Sequence, residues 1–387
     1  MRIAVNAWFW NQPGTGSGQY TRQLVQALGA LAPEIEIRLV FPAPGGYRTA
    51  APAEAENAGP AAPPSNTAKL RFEQVDFPRA AGAVRADLAH VPYWAPPLRS
   101  PVPLVVTVHD IIPRVLREYR GGPFVRAYTA LVSSAAHGAG AVLTDSESSK
   151  RDIVAHLGIP AERVHAIPLA AGPAYAPAPV DEAVRRKYDL PDDYVLYLGS
   201  FEARKNVAAL FAAYTWVAAA LQDRLPLVLG GRQHAPDGKL YPDVRGQARE
   251  HKLLRPESGT VRDVAQFIGA VDEADKPALY RGATAFAFMS VYEGFGLPPL
   301  EAMACGTPVI VSNTSSLPEV VDGAGYVLDP DDTRNIAGAI LAVYNQPELA
   351  EQLCKQGLEQ AAKFSWERTA RETLGIYEEV VSRKWSS

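Results

Sequence analysis

Short apolar strands alternate with helical runs twice along this 387-residue chain, once on each side of a charge-poor, proline-broken stretch. In the first half, residues 2–8 read as a strand. Residues 18–31 follow as a helix with Leu24, Val25 and Leu28 on one face, and 35–41 as the next strand. Residues 104–109 and 142–145 are further strands, and 149–157 a helix. In the second half, strands are predicted at 194–198, 225–229, 264–268, 284–289 and 308–311, with helices between them. Such alternation calls for parallel strands joined by crossover helices. The predicted class is therefore α/β, with two doubly wound parallel-sheet (Rossmann-like) domains facing a cleft. The length suits two cores better than one. The segment AAGPAYAPAPV over 170–180 holds three prolines and marks the linker, giving domains at 1–174 and 175–365. A terminal helix over about 366–387 carries Tyr377, Val380 and Val381 at core spacing. Residues 42–66, rich in Ala, Pro and Gly without periodicity, are expected to form a mobile surface loop dispensable for folding.

Composition narrows the function classes. With 47% apolar and 21% charged residues the chain is of ordinary globular type. No apolar run reaches the length of a membrane span, and Met-Arg-Ile-Ala-Val-Asn at the start reads as a buried strand rather than a secretory leader. Two cysteines, Cys305 and Cys354, cannot supply a disulfide framework or a zinc cluster, so a reducing cytoplasm is the expected home. Residues 1–180 hold 16 basic and 13 acidic residues, the remainder 22 and 29. This modest asymmetry is compatible with an anionic acceptor or peripheral contact with a membrane surface, and falls far short of a nucleic-acid binder.

The chemistry concentrates in Glu293-Gly-Phe-Gly-Leu-Pro-Pro-Leu-Glu301. Pro298 and Pro299 suit a first helical turn, which places Glu301 in that turn and Glu293 just beyond a strand. The backbone N–H groups at Gly294, Phe295, Gly296 and Leu297 would then open onto an anion, while both carboxylates can accept hydrogen bonds from hydroxyls. A helix-dipole role could explain Glu301 alone; it does not explain Glu293.

Five other blocks lie at or just after strand ends. Gly14, Gly16 and Gly18 open onto a helix, but Gln19 stands where a dinucleotide fingerprint needs glycine, which argues against NAD. The residues alone leave a plain flexible loop and a phosphate contact equally open. His109-Asp110 closes a strand, where a structural histidine is the alternative to a site residue. Arg204 and Lys205 lie in Gly-Ser200-Phe-Glu-Ala-Arg-Lys-Asn, where paired cations can neutralise a diphosphate without a metal. Phe-Ile-Gly-Ala270-Val271 is either a nucleotide cradle or a buried strand end. In Thr144-Asp-Ser-Glu-Ser-Ser-Lys150, Ser148 or Ser149 is the expected helix N-cap. No HExxH motif, cysteine cluster, GxSxG or P-loop is present, so no metal site is expected.

Glu-x7-Glu within EGFGLPPLEAMACGTPVIVS, continued by Ser315-Ser-Leu-Pro-Glu-Val320, resembles the donor-site signature of the family 4 retaining glycosyltransferases of GT-B fold, and within them the mannosyltransferase-type members. The resemblance implies two facing domains, with the terminal helix crossing back onto the acceptor-binding first domain and the donor held by the second. It also implies a glycine loop (Gly14, Gly16, Gly18) closing over the donor diphosphate and His109 against the donor sugar. Arg204, Lys205, Ser200 and Gly294 to Leu297 would lie on the diphosphate. Ala270 and Val271 would face the base, Glu293 the sugar hydroxyls and Glu301 the ribose. Ala203 stands where the family often has proline. The implied reaction transfers a hexosyl group, with mannose from GDP-mannose the first choice, to a glycan, glycolipid or small-molecule hydroxyl, with retention and without a cofactor or metal. A nucleotide-sugar epimerase, a phosphorylase or a non-catalytic sugar-binding protein could share the scaffold; Arg204, Lys205 and both glutamates together favour a transferase.

Overall fold

The apolar tetrads Val195–Leu198 and Ala285–Phe288 are buried along their whole length, as strands covered by helices on both faces must be. They are central strands of the second of two compact units in a computed structural model that describes residues 1–12, 14–57, 65–254 and 263–383. The units comprise 1–169 with 365–387, and 170–364.

The first unit holds seven strands: β1 (Arg2–Asn6), β2 (Glu36–Ala43), β3 (Gly46–Ala50), β4 (Leu88–Val91), β5 (Leu104–Thr107), β6 (Ala141–Thr144) and β7 (Val164–Ala166). Their order is β3-β2-β1-β4-β5-β6-β7, all parallel except β3. The terminal helix Trp366–Ser382 belongs to this unit and contributes the fully buried Tyr377. The second unit holds β8 (Val195–Leu198), β9 (Leu227–Gly230), β10 (Ala265–Gly269), β11 (Ala285–Phe288), β12 (Val309–Ser312) and β13 (Tyr326–Leu328). Its order β10-β9-β8-β11-β12-β13 is wholly parallel. In chain order this is 3-2-1-4-5-6, the dinucleotide-fold arrangement, which reverses direction between β8 and β11. The predicted α/β class with two doubly wound parallel sheets is therefore observed.

Three expectations need correction. The segment 42–66 is not a mobile loop over its described part. A turn at Gly45, whose φ is +81°, folds β3 back antiparallel on β2, and a 3-10 turn Pro52–Asn57 follows. Tyr47 and Thr49 favour a strand and Arg48 stacks over Phe41 at 4.4 Å, a signal diluted by the surrounding alanines and prolines. Residues 58–64 lie outside the described residues. Replacing 46–50 by a glycine linker should lower the thermal midpoint by roughly 5 °C, since about 2 kcal/mol of edge pairing and burial is lost. An unchanged midpoint in a melting curve would restore the loop reading.

Second, helix Glu147–Leu157 is capped by Ser146, whose Oγ accepts from Ser149 N–H, and not by Ser148 or Ser149, which lie within the helix. Third, helix Leu297–Ala304 starts early enough that Pro298 and Pro299 fill its first turn and no acidic residue does. Glu301 therefore lies past the first turn, buried, and a helix-dipole role no longer accounts for it.

Candidate active site

Helix Leu297–Ala304 and the turns after β8 and β11 gather the second unit's charged residues at the strand-order reversal. After β8 the chain passes Gly199 and Ser200 into a 3-10 turn, Ala203–Lys205, closed by Asn206 in the left-handed region (φ +50°). The Arg204 carbonyl accepts from Val291 N–H (2.8 Å) and Ser290 Oγ (3.1 Å), which stitches this turn to the loop after β11. Glu293 is fixed in turn by Ser315 and Ser316. Its N–H donates to Ser315 Oγ at 3.0 Å, and its carbonyl accepts from Ser316 Oγ at 3.0 Å.

The two turns bring together Arg204, Lys205 and Glu293. Lys205 Nζ donates to Glu293 Oε1 at 2.6 Å and lies 4.8 Å above the Phe288 ring; Arg204 Nη1 is 3.1 Å from Glu293 Oε2. Arg204 Nε also donates to Glu202 Oε2 at 3.0 Å, and Glu202 Oε1 accepts from Ser200 Oγ. Burial works against both members of the Lys205–Glu293 pair, with different results. Glu293 faces two cations, which outweigh burial and hold its carboxyl below the usual range. Lys205 shares one carboxylate with Arg204, so burial and the guanidinium leave its ammonium below the usual lysine range. A second anion at this point would satisfy the cation that the cluster under-stabilises.

Glu301 has a different environment. Its Oε2 accepts from Tyr280 OH at 2.9 Å, and burial pushes its carboxyl from 4.5 up to about 7, a rise that Lys276, Tyr280 and Tyr175 only partly offset. At the helix entry Gly296 has φ +113°, and a Cβ there would lie 2.8 Å from a Leu317 methyl. Phe295 is buried edge-on against Phe364. Ala270 and Val271 follow β10 beyond Gly269 (φ +77°), and Val271 borders Gly230 at the end of β9.

In the first unit, Pro13 lies outside the described residues, and helix Gly16–Leu31 is capped by Thr15, whose side chain accepts from Gly18 N–H. Gly18 is pressed on backbone: a Cβ there would come 2.2 Å from the Gln12 carbonyl oxygen. Gly14 and Gly16 face open space, the side from which a ligand's phosphate could approach. His109 Nδ1 is 2.8 Å from Asp145 Oδ2, and Nε2 is 3.3 Å from the Pro92 carbonyl. Two acceptors on two ring nitrogens suit the imidazolium. Burial lowers the His109 pKa, but the Asp145 carboxylate, with help from Asp110 and Pro92, outweighs it and the net shift is upward. Asp110 accepts from Ile112 N–H and so orients the loop. Asp145→Asn should therefore make His109 titrate at lower pH in an NMR titration; an unmoved curve would show that Asp145 does not hold the proton.

Tyr20 stands edge-on to His109 at 4.8 Å between centroids, and its OH meets Thr107 Oγ1 at 3.0 Å. Thr107 also meets His90 Nε2 at 2.8 Å, and Tyr377 OH closes the chain at 2.7 Å from His90 Nδ1. Burial, and then the neighbouring His109, push His90 down to about 3, so it stays neutral. Asp145, Glu202, Ser315, Ser316 and Tyr280 were not assigned roles from sequence. Asp145, Glu202, Ser315 and Ser316 lie within motifs noted above, and a polar residue after a strand is the available signal; Tyr280 lies in none of them.

Two parallel α/β units, the second in dinucleotide-fold order with a cation–carboxylate cluster at its reversal point, define the GT-B class. Solved structures agree. Sucrose-phosphate synthase from Thermosynechococcus elongatus superposes with a TM-score of 0.71 at 21% identity, over 98% of this chain and 99% of that one. Anabaena HepE in complex with UDP-glucose gives 0.70 at 16% identity, over 98% of this chain and 100% of that one.

The sequence places it more closely. A model of Glycosyltransferase Family 4 matches residues 14–171, and one of glycosyl transferases group 1 matches residues 181–360. O-antigen chain mannosyltransferase B of Escherichia coli is 34% identical over 379 residues, covering 94% of this chain and 96% of that protein. The chain belongs to this glycosyltransferase family. No helix among the described residues is long and apolar enough to cross a membrane.

Proposed function

We propose that the protein transfers a mannosyl group from GDP-mannose to an acceptor hydroxyl during glycan or glycolipid synthesis, with retention of anomeric configuration. The observation that carries the reading is the Arg204–Lys205–Glu293 cluster at the reversal point of the second sheet. Mannose is favoured by the Escherichia coli relative, a mannosyltransferase by name, and a nucleotide-sugar donor by HepE, solved with UDP-glucose.

Arg204 and Lys205 take the charge that develops on the diphosphate as the bond from the anomeric carbon to the phosphate oxygen breaks. Glu293 holds sugar hydroxyls, Glu301 the ribose hydroxyls, and His109 lies against the sugar. Gly14, Gly16, Ser200 and the backbone from Gly294 to Leu297 line the phosphates, and Ala270 and Val271 the base. Each Glu293 oxygen is already engaged by a cation, so this carboxylate is poorly suited to attack the anomeric carbon. Retention then follows from attack on the face the diphosphate leaves. The acceptor oxygen bonds to the anomeric carbon while its proton passes to the departing phosphate oxygen.

The test is product formation and nucleoside diphosphate release with GDP-mannose and a panel of other nucleotide-sugars, preceded by thermal shifts. A donor at about 100 times its dissociation constant adds roughly 2.7 kcal/mol of stability. No shift and no release with any nucleotide-sugar would overturn the proposal. Because two side-chain cations serve the leaving group, the rate should survive EDTA. Loss on chelation, with rescue by magnesium or manganese, would show that a metal does this work.

A further inference from the structure

A cavity of about 470 Å³ in the first unit is lined by Pro113, Arg114, Arg120, Arg126, Thr129 and His156, none of them assigned above. Its walls are helix Ile112–Val115, the 3-10 turn Arg117–Arg120, helix Pro123–Ala136 and the last turn of helix Glu147–Leu157. Three guanidinium groups and an imidazole supply every ionisable group of the lining; no carboxylate is among them. Some arginines of the molecule are paired, as where Arg2 and Arg38 share Glu36 and Arg185 holds Glu182 and Asp192, while others, such as Arg163 and Arg281, bond to backbone carbonyls. Arg114, Arg120 and Arg126 form no ion pair with a carboxylate among the described residues. Their contacts are to backbone. Arg126 Nε donates to the Gly121 carbonyl at 3.1 Å, and Arg114 Nη2 lies 3.5 Å from the His156 carbonyl.

Converging three cations on one concavity is unfavourable without an anion to share. The planar guanidinium fork matches phosphate oxygens in pairs, and the Thr129 hydroxyl adds a donor. The volume falls within the range of small-molecule sites and leaves room for more than one phosphate. We propose that this cavity binds the phosphate monoester or diphosphate group of a ligand other than the donor. The proposal stands on the first unit alone and does not depend on the function proposed above.

Calorimetric titration of the full chain with inorganic pyrophosphate at low ionic strength should reveal two classes of site. Lys205→Ala removes one. The other survives in Lys205→Ala and weakens as salt screens exposed charges. The combined Arg114→Gln, Arg120→Gln and Arg126→Gln substitutions should weaken it at least about tenfold, from lost charged hydrogen bonds. These exposed side chains leave the fold intact, checked by circular dichroism; if the triple variant misfolds, single Arg120→Gln and Arg126→Gln variants decide, each weakening the site severalfold. Sedimentation with phosphatidylglycerol but not phosphatidylcholine vesicles, lost in the arginine variants, would identify a lipid headgroup as the phosphate source. Pyrophosphate binding without sedimentation would identify a soluble phosphorylated ligand. In Lys205→Ala, absence of pyrophosphate binding, or binding that the arginine substitutions leave unchanged, overturns the proposal.

Discussion

Lys205→Ala is expected to lower turnover about 10²–10³-fold, the scale of losing one preorganised charge-stabilising donor, and to weaken nucleoside diphosphate binding as well. The ammonium sits on the Phe288 ring with the Glu293 carboxylate at 2.6 Å, in a place where burial already works against its charge. Under the proposed function, a donor diphosphate supplies the second anion. Glu293→Gln should lower turnover comparably yet leave nucleoside diphosphate affinity unchanged or stronger. That ligand carries no transferred sugar, and the substitution releases both cations from their shared carboxylate. Because the two side chains are in contact, the double variant should cost less than the two single losses combined. Initial rates and calorimetry on the three proteins decide. Wild-type kinetics in both single variants would show that the diphosphate sits elsewhere. Loss of diphosphate affinity in Glu293→Gln alone would invert the assignment.

That pair also shows what a sequence can and cannot reveal. Lys205 and Glu293 are 88 positions apart, and each is individually suspicious: Lys205 follows an apolar strand through a turn that starts at Gly199, and Glu293 follows one directly ahead of Gly294. Local pattern is enough to place each residue at a strand's carboxyl end. Their meeting depends on β8 and β11 being neighbours, and strand order is a tertiary property that periodicity does not encode. The same holds for His109 and Asp145, brought together by β5 and β6. Of the unpredicted strands, β7 and β13 have only three residues, too short for a period to stand out, while β4 (Leu-Ala-His-Val) and β3 (Gly-Tyr-Arg-Thr-Ala) lack the unbroken apolar run that marks the four-residue strands β8 and β11. Omitting β4 hid His90, and with it the route by which Tyr377 of the terminal helix reaches the network beside His109. Glu301 was legible as a residue but its environment was not. Tyr280, 21 positions away, surrounds it only once the helices pack.

Glu301→Gln should make the unliganded protein more stable near pH 8 and its nucleoside diphosphate complex weaker. Burial raises this carboxyl from 4.5 to about 7 in the folded chain. Between those values the native state holds a proton that the unfolded chain has released, so stability falls as pH rises through that window and levels off above 7. The cost at pH 8 is roughly 3 kcal/mol at most, from 1.36 kcal/mol for each pH unit between the two values. Glutamine has no charge to desolvate, so denaturation curves of the variant should lack this fall while those of the wild type show it. Both proteins should be closest in stability near pH 5. In the proposed donor complex, with Glu301 on the ribose, the order reverses. Two hydroxyl donors favour the carboxylate, so glutamine should weaken diphosphate binding by roughly 1.5–3 kcal/mol, the range for charged hydrogen bonds, with a smaller effect on saturated turnover because ribose contacts are the same in ground and transition states. Wild-type affinity should also rise with pH toward 8, since binding must strip the proton. A variant that is no more stable at pH 8 would remove the desolvation account of Glu301. One that is stabilised but binds diphosphate as tightly as wild type would take the ribose away from this residue.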